Sequence, residues 1–302
     1  MREVCVIGGS RYFGKRLIER LLAAGDRVTV VNRGSARPPA GAVHVIADRN
    51  DEAALAAALG DRVFDVVIDQ VCYTPVQAAV ARRVFAGRTG RYVMTSTIEV
   101  YAHLDADGPV PEDALDPVSV RVEPELPWDE DAFLDAHYGE GKQQAEAVFA
   151  AGTGSAGGFP YVSVRVGHVL GGTDDFTGRL AHYAERIRGG EPVAVTVPDH
   201  PSTYIHVEEI ADFLLWAAGE AFTGPVNACS HGPLTTADIC AAVQAVTGGE
   251  VVLRAAGDGE PASPFAFGTA YGMSNARAEE LGFRFGRTAD WLPKAVAETL
   301  SA

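Results

Sequence analysis

The hydrophobic positions of this chain form short β-branched runs that alternate with amphipathic stretches of helical period. In the first part of the chain, the predicted strands are Glu3–Ile7, Arg27–Asn32, Val43–Ile46, Phe64–Asp69 and Arg91–Ser96, and the predicted helices are Phe13–Ala24, Asp51–Leu59 and Val76–Phe85. Apolar strands that alternate with helices are typical of a parallel sheet covered on both faces. The sequence therefore predicts an α/β fold of the Rossmann type, a doubly wound parallel sheet.

The alternation breaks after the fifth predicted strand. Residues His103–His137 are acidic and rich in proline, which predicts a long surface excursion with a short helix near Asp129–Asp135. The elements expected after it are a helix at Gly139–Ala150, a glycine-rich turn at Gly152–Gly158, a strand at Tyr161–Val166 and helices near Phe176–Arg188, Val207–Ala218, Thr235–Val246 and Thr288–Leu300. We expect residues 1–168 to form the Rossmann domain and residues 169–302 to form mainly a smaller mixed substrate lobe, with residues 192–229 partly returning to the sheet.

Composition narrows the classes of function. The chain has 302 residues, of which 47% are hydrophobic, so a packed core is expected. The net charge of −15 disfavours binding to nucleic acid or to an anionic membrane surface. The four cysteines lie far apart without metal-ligand spacing, and we expect no metal site. With neither a signal segment nor a run of transmembrane length, a cytoplasmic location is expected.

A glycine-rich loop joins the first predicted strand to the first helix, with the sequence Gly-Gly-Ser-Arg-Tyr-Phe-Gly from Gly8 to Gly14. Such a turn directs backbone N–H groups and a helix N-terminus at a phosphate group. Gly8 permits the tight turn, and Gly14 lets the helix pack closely on the strand. The middle glycine of the usual motif is replaced by Arg11, whose guanidinium can contact phosphate. The loop predicts a dinucleotide cofactor.

The end of the second strand bears on the choice between NAD and NADP. NAD-preferring sites usually place Asp or Glu there to accept hydrogen bonds from the ribose. This chain has Asn32 and Arg33, which suit a 2′-phosphate, so NADP is the preferred prediction and NAD the alternative. Asp48, after the third strand, is placed to meet the adenine. The predicted cofactor-binding residues are Gly8, Ser10, Arg11, Tyr12, Phe13, Gly14, Asn32, Arg33, Asp48, Arg49 and Gln70.

Candidate acid–base chemistry lies on the helix that follows the excursion. Tyr138 and Lys142 are four residues apart and share one helix face. A nearby ammonium favours the phenolate form of tyrosine, whose free pKa is about 10. A hydroxyl at the end of the fifth strand, in the sequence Thr95-Ser96-Thr97, is predicted to orient the substrate oxygen that Tyr138 protonates. Ser96 is a predicted substrate residue.

Together these residues resemble the extended short-chain dehydrogenase/reductases, also called the NAD-dependent epimerase/dehydratase family. The resemblance continues through Thr97–Tyr101, Arg165–His168 and Tyr204–Val207. It implies hydride transfer with NAD or NADP, and a homodimer formed through Val76–Phe85 and Gly139–Ala150. The Gly-Gly-Ser-Arg loop resembles a branch that includes chloroplast stem-loop RNA-binding relatives, but the acidity of this chain argues against that role.

Three departures from the sugar-nucleotide enzymes of that family bear on the substrate. His168 stands where those enzymes usually have an asparagine that contacts the substrate. Ser202 stands where many have an arginine that binds the diphosphate, and Arg179 and Arg186 are the candidates to replace it. Ile98 stands where dehydratases have an acid, whereas the proton-abstracting Glu99 is retained.

The leading hypothesis is an NAD(P)-dependent oxidoreductase that acts on a small polyol, sugar derivative or secondary metabolite. In it, Tyr138 shuttles the proton, Lys142 lowers the pKa of Tyr138, and Thr97 orients the substrate. The first alternative is an epimerase or dehydratase that recycles its cofactor internally, with Glu99 as a base. The second alternative is a non-catalytic nucleotide-sensing or RNA-binding relative.

Overall fold

The computed structural model describes residues 1–104, 106, 108–152, 158–270 and 272–301. The chain divides into two compact units. Unit 1 consists of Met1–Tyr101, Glu112–Val166 and Ala211–Val226, and unit 2 consists of Ala102–Pro111, Gly167–Ile210 and Asn227–Ala302.

The elements follow one another in chain order as β1 (Glu3–Ile7), α1 (Tyr12–Ala23), β2 (Arg27–Asn32), β3 (Val43–Ile46), α2 (Glu52–Leu59), β4 (Val66–Asp69), α3 (Pro75–Phe85), β5 (Tyr92–Thr97), α4 (Asp131–Ala136), α5 (Tyr138–Ala150), β6 (Tyr161–Val166), β7 (His168–Leu170), α6 (Arg179–Gly189), β8 (Val193–Val195), β9 (Tyr204–His206), α7 (Val207–Ala217), β10 (Gly224–Ala228), α8 (Thr236–Thr247), β11 (Leu253–Ala255), α9 (Ala276–Glu280) and α10 (Thr288–Thr299). Short 3₁₀ turns lie at Ile98–Tyr101, Glu112–Ala114 and Pro117–Ser119.

The central sheet has seven strands in the order β10-β6-β5-β4-β1-β2-β3. The pairings from β3 through β6 are parallel, as the hydrophobic pattern predicts. The strand order reverses beside β1, which creates the crevice where open α/β sheets bind ligands at the carboxyl ends of their strands. The Rossmann prediction is confirmed, and β1, β2, β3 and β6 occupy the predicted residues.

The largest shift in a predicted boundary is at α6, which begins at Arg179 and not at Phe176. Thr177 donates from its backbone N and its Oγ1 to Asp175 Oδ1, at 2.9 and 2.7 Å, and so closes a turn. Gly178 then adopts a φ of +66°, which interrupts helical geometry before Arg179. The predicted turn at Gly152–Gly158 lies largely at 153–157, outside the described residues.

The surface excursion packs against α5 within unit 1. Glu123 donates its backbone N–H to Gln144 Oε1 at 2.7 Å, and Gln143 Nε2 donates to Val100 O at 2.6 Å. Residues Gly141–Ala147 are buried in an unbroken run, which is nearly two turns of helix. The chain itself thus covers these residues, and the homodimer that the family resemblance implies through Val76–Phe85 and Gly139–Ala150 stays a prediction.

Unit 2 is built around an apolar cluster of its own. Helices α6, α8 and α10 contribute to it, with Tyr183, Tyr204 and Trp291 as its largest members. Two small parallel ladders, β7 with β9 and β8 with β11, complete the unit. These ladders place His168 opposite Tyr204.

In the described part of the chain, none of the helices combines the length and the hydropathy that a bilayer crossing requires. Within the same residues, no group of three or more histidine, cysteine, aspartate or glutamate side chains is arranged to hold a metal ion.

Candidate active site

The glycine loop forms a tight turn between β1 and α1. Gly8 and Gly9 have φ values of +79° and +72°, a region that side-chain-bearing residues rarely adopt. A Cβ on Gly14 would lie 2.4 Å from Gly9 Cα and 2.2 Å from Gln70 Oε1. These two glycines and Gly14 are therefore required for the first turn of α1 to approach the loop.

The N-terminus of α1 is available for an anion. No side chain caps it and its first turn contains no acidic residue, whereas α2 and α3 are capped by Asp51 and Thr74. Uncapped N–H groups and the helix dipole favour phosphate. The buried Gln70 Nε2, beside the loop, has no hydrogen-bond partner among the described residues. The arrangement fits a dinucleotide, whose pyrophosphate would be held by Ser10, Arg11 and the backbone of the loop.

Tyr12, the first residue of α1, has a φ of +53°, which is strained for a bulky residue. Its ring is buried and packs edge-on against Phe13, with ring centroids 5.8 Å apart. Strain of this kind persists only where the surrounding structure imposes it, and it is concentrated at functional sites.

The side-chain amide of Asn32 contacts neighbouring protein groups through both its nitrogen and its oxygen. Its Nδ2 donates to Ser10 Oγ at 2.8 Å and to Ala36 O at 3.0 Å. Its Oδ1 accepts from Gly34 N at 2.7 Å and lies 2.9 Å from His44 Nε2. The side chains of Arg11 and Arg33 are exposed. No carboxylate stands at the end of β2, so the usual acceptor for a free 2′-hydroxyl is absent from this position.

Asp48 and Arg49, the two predicted cofactor-binding residues that follow β3, differ in their exposure to solvent. Asp48 is exposed, and its Oδ1 accepts from Asn50 N at 2.9 Å. Arg49 is buried and pairs with Asp69 at 2.9 Å, and it donates to Val71 O and Gln77 O at 2.7 and 3.1 Å. Its Nη groups thus tie the ends of β3, β4 and α3 together.

Lys142 is the most constrained of the predicted catalytic residues. Its side chain is buried, and Nζ donates to Thr95 O at 2.7 Å. Nζ also lies 4.6 Å from the ring centroid of Tyr73 and 5.7 Å from that of Tyr138. Burial lowers the pKa of Lys142 to about 8, against the opposing effect of Cys72 and Asp69. The structure thus brings Tyr138 and Lys142 together.

Two glycines make this approach possible. A Cβ on Gly139 would lie 2.5 Å from Glu99 O, and one on Gly141 would lie 2.5 Å from Tyr73 O. The sequence Tyr-Gly-Glu-Gly-Lys therefore lets the first turn of α5 rest on the backbone that follows β4 and β5.

Tyr73 was missed by the sequence analysis. Its ring contacts both members of the pair, with centroids of Tyr73 and Tyr138 6.1 Å apart. A usable signal was its position just after the carboxyl end of β4, where ligand-binding side chains gather in parallel sheets. Asp69, at that strand end, is fully buried and accepts from Tyr92 OH at 2.6 Å.

The hydroxyl residues that end β5 point to opposite faces of the sheet. Thr95 Oγ1 is buried and has no hydrogen-bond partner in the part of the chain that the structure describes, and Thr97 Oγ1 accepts from Glu99 N at 3.2 Å. Ser96 Oγ instead donates to Glu146 Oε1 at 2.5 Å. The alternation of a strand therefore places Ser96 in the interior and not with Thr97, contrary to its predicted contact with substrate.

Glu146 and Arg165 form a buried ion pair behind the site. Arg165 Nη2 lies 2.7 Å from Glu146 Oε2, and both side chains are essentially unexposed. Arg165 also donates to Tyr101 OH at 2.6 Å and to the carbonyls of Glu112 and Leu115, each at 3.0 Å. The pair joins α5 and β6 to the excursion.

His168 lies in unit 2 among aromatic rings. It stacks on Phe267, with centroids 5.1 Å apart, and lies within 6 Å of Phe265 and Tyr204. Burial, and next the charge of Arg179, lower the pKa of His168 to about 3. The imidazole is therefore neutral at physiological pH.

Comparison with known proteins identifies the family. The family model described as "NAD dependent epimerase/dehydratase family" matches residues 4–229. The chain belongs to this family. Members of the NAD dependent epimerase/dehydratase family are enzymes, so the prediction of an enzyme is confirmed. A search of curated proteins found no match.

Solved structures share the whole fold. A UDP-glucose 4-epimerase of Thermus thermophilus in complex with NAD is 21% identical with a TM-score of 0.75, and each chain covers 99% of the other. A UDP-glucose 4-epimerase of Thermotoga maritima with UDP-glucose is 18% identical, with a TM-score of 0.77 and the same coverage. A UDP-N-acetylglucosamine 4-epimerase of Bacillus cereus is 16% identical with a TM-score of 0.71, over 100% of this chain and 96% of that one. At sequence identities of 16–21%, the similarity to these structures shows a shared fold and no more.

Proposed function

We propose that this protein is an NAD-dependent epimerase that oxidises a hydroxyl-bearing carbon of a sugar-like substrate and then reduces the same carbon. The observation that carries the proposal is the buried Lys142, whose Nζ lies 4.6 Å from the ring centroid of Tyr73 and 5.7 Å from that of Tyr138. A charged group that burial disfavours persists where its charge is used. The fold and the family of the relatives support internal recycling of the cofactor over the simple oxidoreductase of the leading sequence hypothesis.

In this proposal the protein supplies acid–base chemistry. Tyr138 accepts the proton of the substrate hydroxyl during oxidation and returns it after reduction. Lys142 favours the phenolate of Tyr138 through its charge, and Thr97 orients the reacting oxygen. NAD, when bound, supplies the acceptor and donor of hydride. Glu99 is retained beside Thr97 as a base for substrates that need proton abstraction next to the carbonyl.

Dehydration is disfavoured because Ile98 occupies the position of the required acid. Its side chain is buried and apolar. It can neither protonate a leaving hydroxyl nor bind water, so water elimination would lack its general acid.

NADP remains the alternative to NAD as the cofactor in this proposal. The structure of the Thermus thermophilus protein is a complex with NAD, which favours NAD. Asn32 and the exposed Arg33 favour a cofactor with a 2′-phosphate. A second candidate function, a reductase that releases oxidised NADP, follows from these two residues.

The test is mass spectrometry of nucleotide released from denatured, freshly purified protein, together with titration of NADH and NADPH. The epimerase predicts stoichiometric, retained, oxidised cofactor. A site that exchanges reduced cofactor reversibly, and binds NADPH more tightly, favours the reductase. Tyr138→Phe should abolish turnover while cofactor affinity is kept, and a variant that stays active would refute both functions.

A further inference from the structure

Tyr73 is an aromatic residue that lies beside the catalytic pair and takes no part in the proton transfer assigned to it. Its ring centroid lies 4.6 Å from Lys142 Nζ and 6.1 Å from the ring centroid of Tyr138. An ammonium within about 6 Å of an aromatic centroid is attracted by the negative face of the ring. Tyr73 therefore adds a cation–π contact to the lysine of the pair.

The backbone of Tyr73 is fixed on both sides. Its N–H donates to Gln77 Oε1 at 2.7 Å, and the next residue, Thr74, accepts from Gln77 N at 3.2 Å through its Oγ1. Its carbonyl oxygen would lie 2.5 Å from a Cβ on Gly141, so α5 rests closely on it. These contacts hold Tyr73 between the start of α3 and the first turn of α5, with its ring within reach of Lys142.

The charge of Lys142 depends on its protein neighbours, because the residue is only 1% exposed. An ammonium has three N–H donors, and among the described residues it has one hydrogen-bond acceptor, Thr95 O at 2.7 Å. Burial favours the neutral amine, whereas the role of Lys142 beside Tyr138 requires the ammonium. A neighbour that stabilises the charge would resolve this conflict.

The two carboxylates that act on Lys142 are already paired with arginines. Besides the tyrosines, the ionisable groups that influence this lysine are Cys72, Asp69, Arg49 and Glu146. Asp69 lies 2.9 Å from Arg49, whose own charge opposes that of Lys142. Glu146 lies 2.7 Å from Arg165, and both side chains are essentially unexposed. The negative charge of each carboxylate is therefore largely offset by its own partner.

The thiol of Cys72 supplies no negative charge near neutral pH. It is fully buried, and burial raises its pKa to about 11, so it stays protonated. The ring of Tyr73 is then the neighbour outside the catalytic pair that favours the ammonium, because the negative face of a π system is present at every pH.

We propose that Tyr73 is a positioning residue of the proposed epimerisation, whose ring holds the Lys142 ammonium against Thr95 O beside Tyr138. The ring acts through its face and not through its hydroxyl, so phenylalanine can replace it and an aliphatic side chain of similar size cannot. This inference rests on the proposed function, because it concerns the charge that Tyr138 uses there.

The test follows the charge of Lys142 by NMR and needs no substrate. The chain has three lysines, so protein labelled with carbon-13 at lysine Cε gives three signals, and Lys142→Met identifies the one of interest. Lys15 and Lys294 are exposed and serve as internal references. Titrations from about pH 6 to about pH 11 compare wild type, Tyr73→Phe and Tyr73→Leu.

The expected result separates the ring from its hydroxyl. The Lys142 signal of wild type and of Tyr73→Phe should titrate with a midpoint of about 8. Tyr73→Leu should lower this midpoint by roughly half a pH unit or more, because the cation–π attraction is lost while an apolar cover stays. The two reference signals should titrate alike in all three proteins.

Tyr73→pentafluorophenylalanine is the second variant. It keeps the shape of the ring but removes the negative charge from its face, so it should lower the Lys142 midpoint even if Tyr73→Leu fails to fold. An unchanged or raised midpoint in either variant would overturn the proposal, since the ring would then act as a cover alone. A fall in Tyr73→Phe as large as in Tyr73→Leu would also overturn it, because the hydroxyl would then be responsible.

Analysis of the nucleotide released from the same samples separates this failure from failure of the proposed epimerase. Retained, oxidised NAD together with a midpoint that ignores the ring would refute only the role of Tyr73. A ring-dependent midpoint in a protein that retains no NAD would refute only the epimerase.

Discussion

Lys142 shows how burial prepares one side chain for chemistry. Its ammonium is desolvated, and this lowers its pKa from 10.5 to about 8. A lysine whose folded pKa is depressed binds fewer protons when folded than when unfolded between those two values. Stability therefore rises with pH in that window, and below about pH 8 the folded protein bears the full cost of the buried charge.

Lys142→Met should remove this dependence. The difference in unfolding free energy, wild type minus variant, is expected to be constant below pH 8 and to rise between pH 8 and 10.5. Turnover should be lost near neutral pH, because Tyr138 loses the charge that favours its phenolate. Urea unfolding at several pH values measures the first quantity. A difference that stays flat up to pH 10.5 would show that Lys142 keeps an ordinary pKa.

Gly141 allows α5 to approach the backbone of Tyr73. Gly141→Ala would put a methyl group 2.5 Å from Tyr73 O, and the helix must shift to accommodate it. We expect destabilisation of about 1–3 kcal/mol from overpacking, and a larger loss of turnover than of cofactor affinity. Glu140→Ala, at the exposed neighbouring position, is the control and should change stability by less than about 0.5 kcal/mol. Equal effects of the two variants would contradict the close approach.

At the scale of elements, the Glu146–Arg165 pair connects α5 to β6. Removing one partner of a buried pair leaves an uncompensated charge, which costs about 3–5 kcal/mol. Glu146→Leu should therefore destabilise the protein by that amount in urea unfolding. The double variant Glu146→Leu/Arg165→Met should recover much of the loss, because both charges are then absent. A single variant as stable as wild type would show that Arg165 finds another partner.

The sequence predicted the regular elements, including the short helix α4 of the excursion, but not the contacts that the excursion makes. Strands such as Tyr161–Val166 are local patterns of apolar residues, so they are visible in the sequence. The contacts of Glu112 O and Leu115 O with Arg165 span about fifty residues and use backbone atoms, which leave no trace in residue type. An acidic, proline-rich segment therefore suggested a loop, and its cover over α5 could not be inferred.

For the site, the motif residues Tyr138 and Lys142 were found because their spacing is local. Tyr73 was missed, since its contact with Lys142 depends on the packing of α5 against the end of β4. Ser96 was assigned to substrate by its neighbours in sequence, whereas strand alternation turns it to Glu146. Arg179 and Arg186 could not be distinguished from sequence, because only the folded chain shows that Arg186 donates to Pro192 O at 2.8 Å.

At the scale of the whole molecule, the covered α5 bears on assembly. The family resemblance places a dimer interface on α3 and α5, but Gly141–Ala147 are buried by the chain itself. We expect sedimentation equilibrium at micromolar concentration to give the mass of a monomer, 31.8 kDa. A stable dimer whose interface, mapped by hydrogen exchange, protects α5 further would contradict this expectation.

The four contacts of the Asn32 amide also set a limit on redesign of the protein. An engineer who wished to change coenzyme preference would first exchange Asn32 for Asp. In the native protein, Asn32 Nδ2 donates to Ala36 O at 3.0 Å. In the variant a carboxylate oxygen would face Ala36 O, and two acceptors repel each other. The segment 33–36 would loosen at its base, and the melting temperature should fall together with any gain in selectivity. The side chain of Asn32 thus couples coenzyme choice to the conformation of the segment 33–36, and a change in one requires a compensating change in the other.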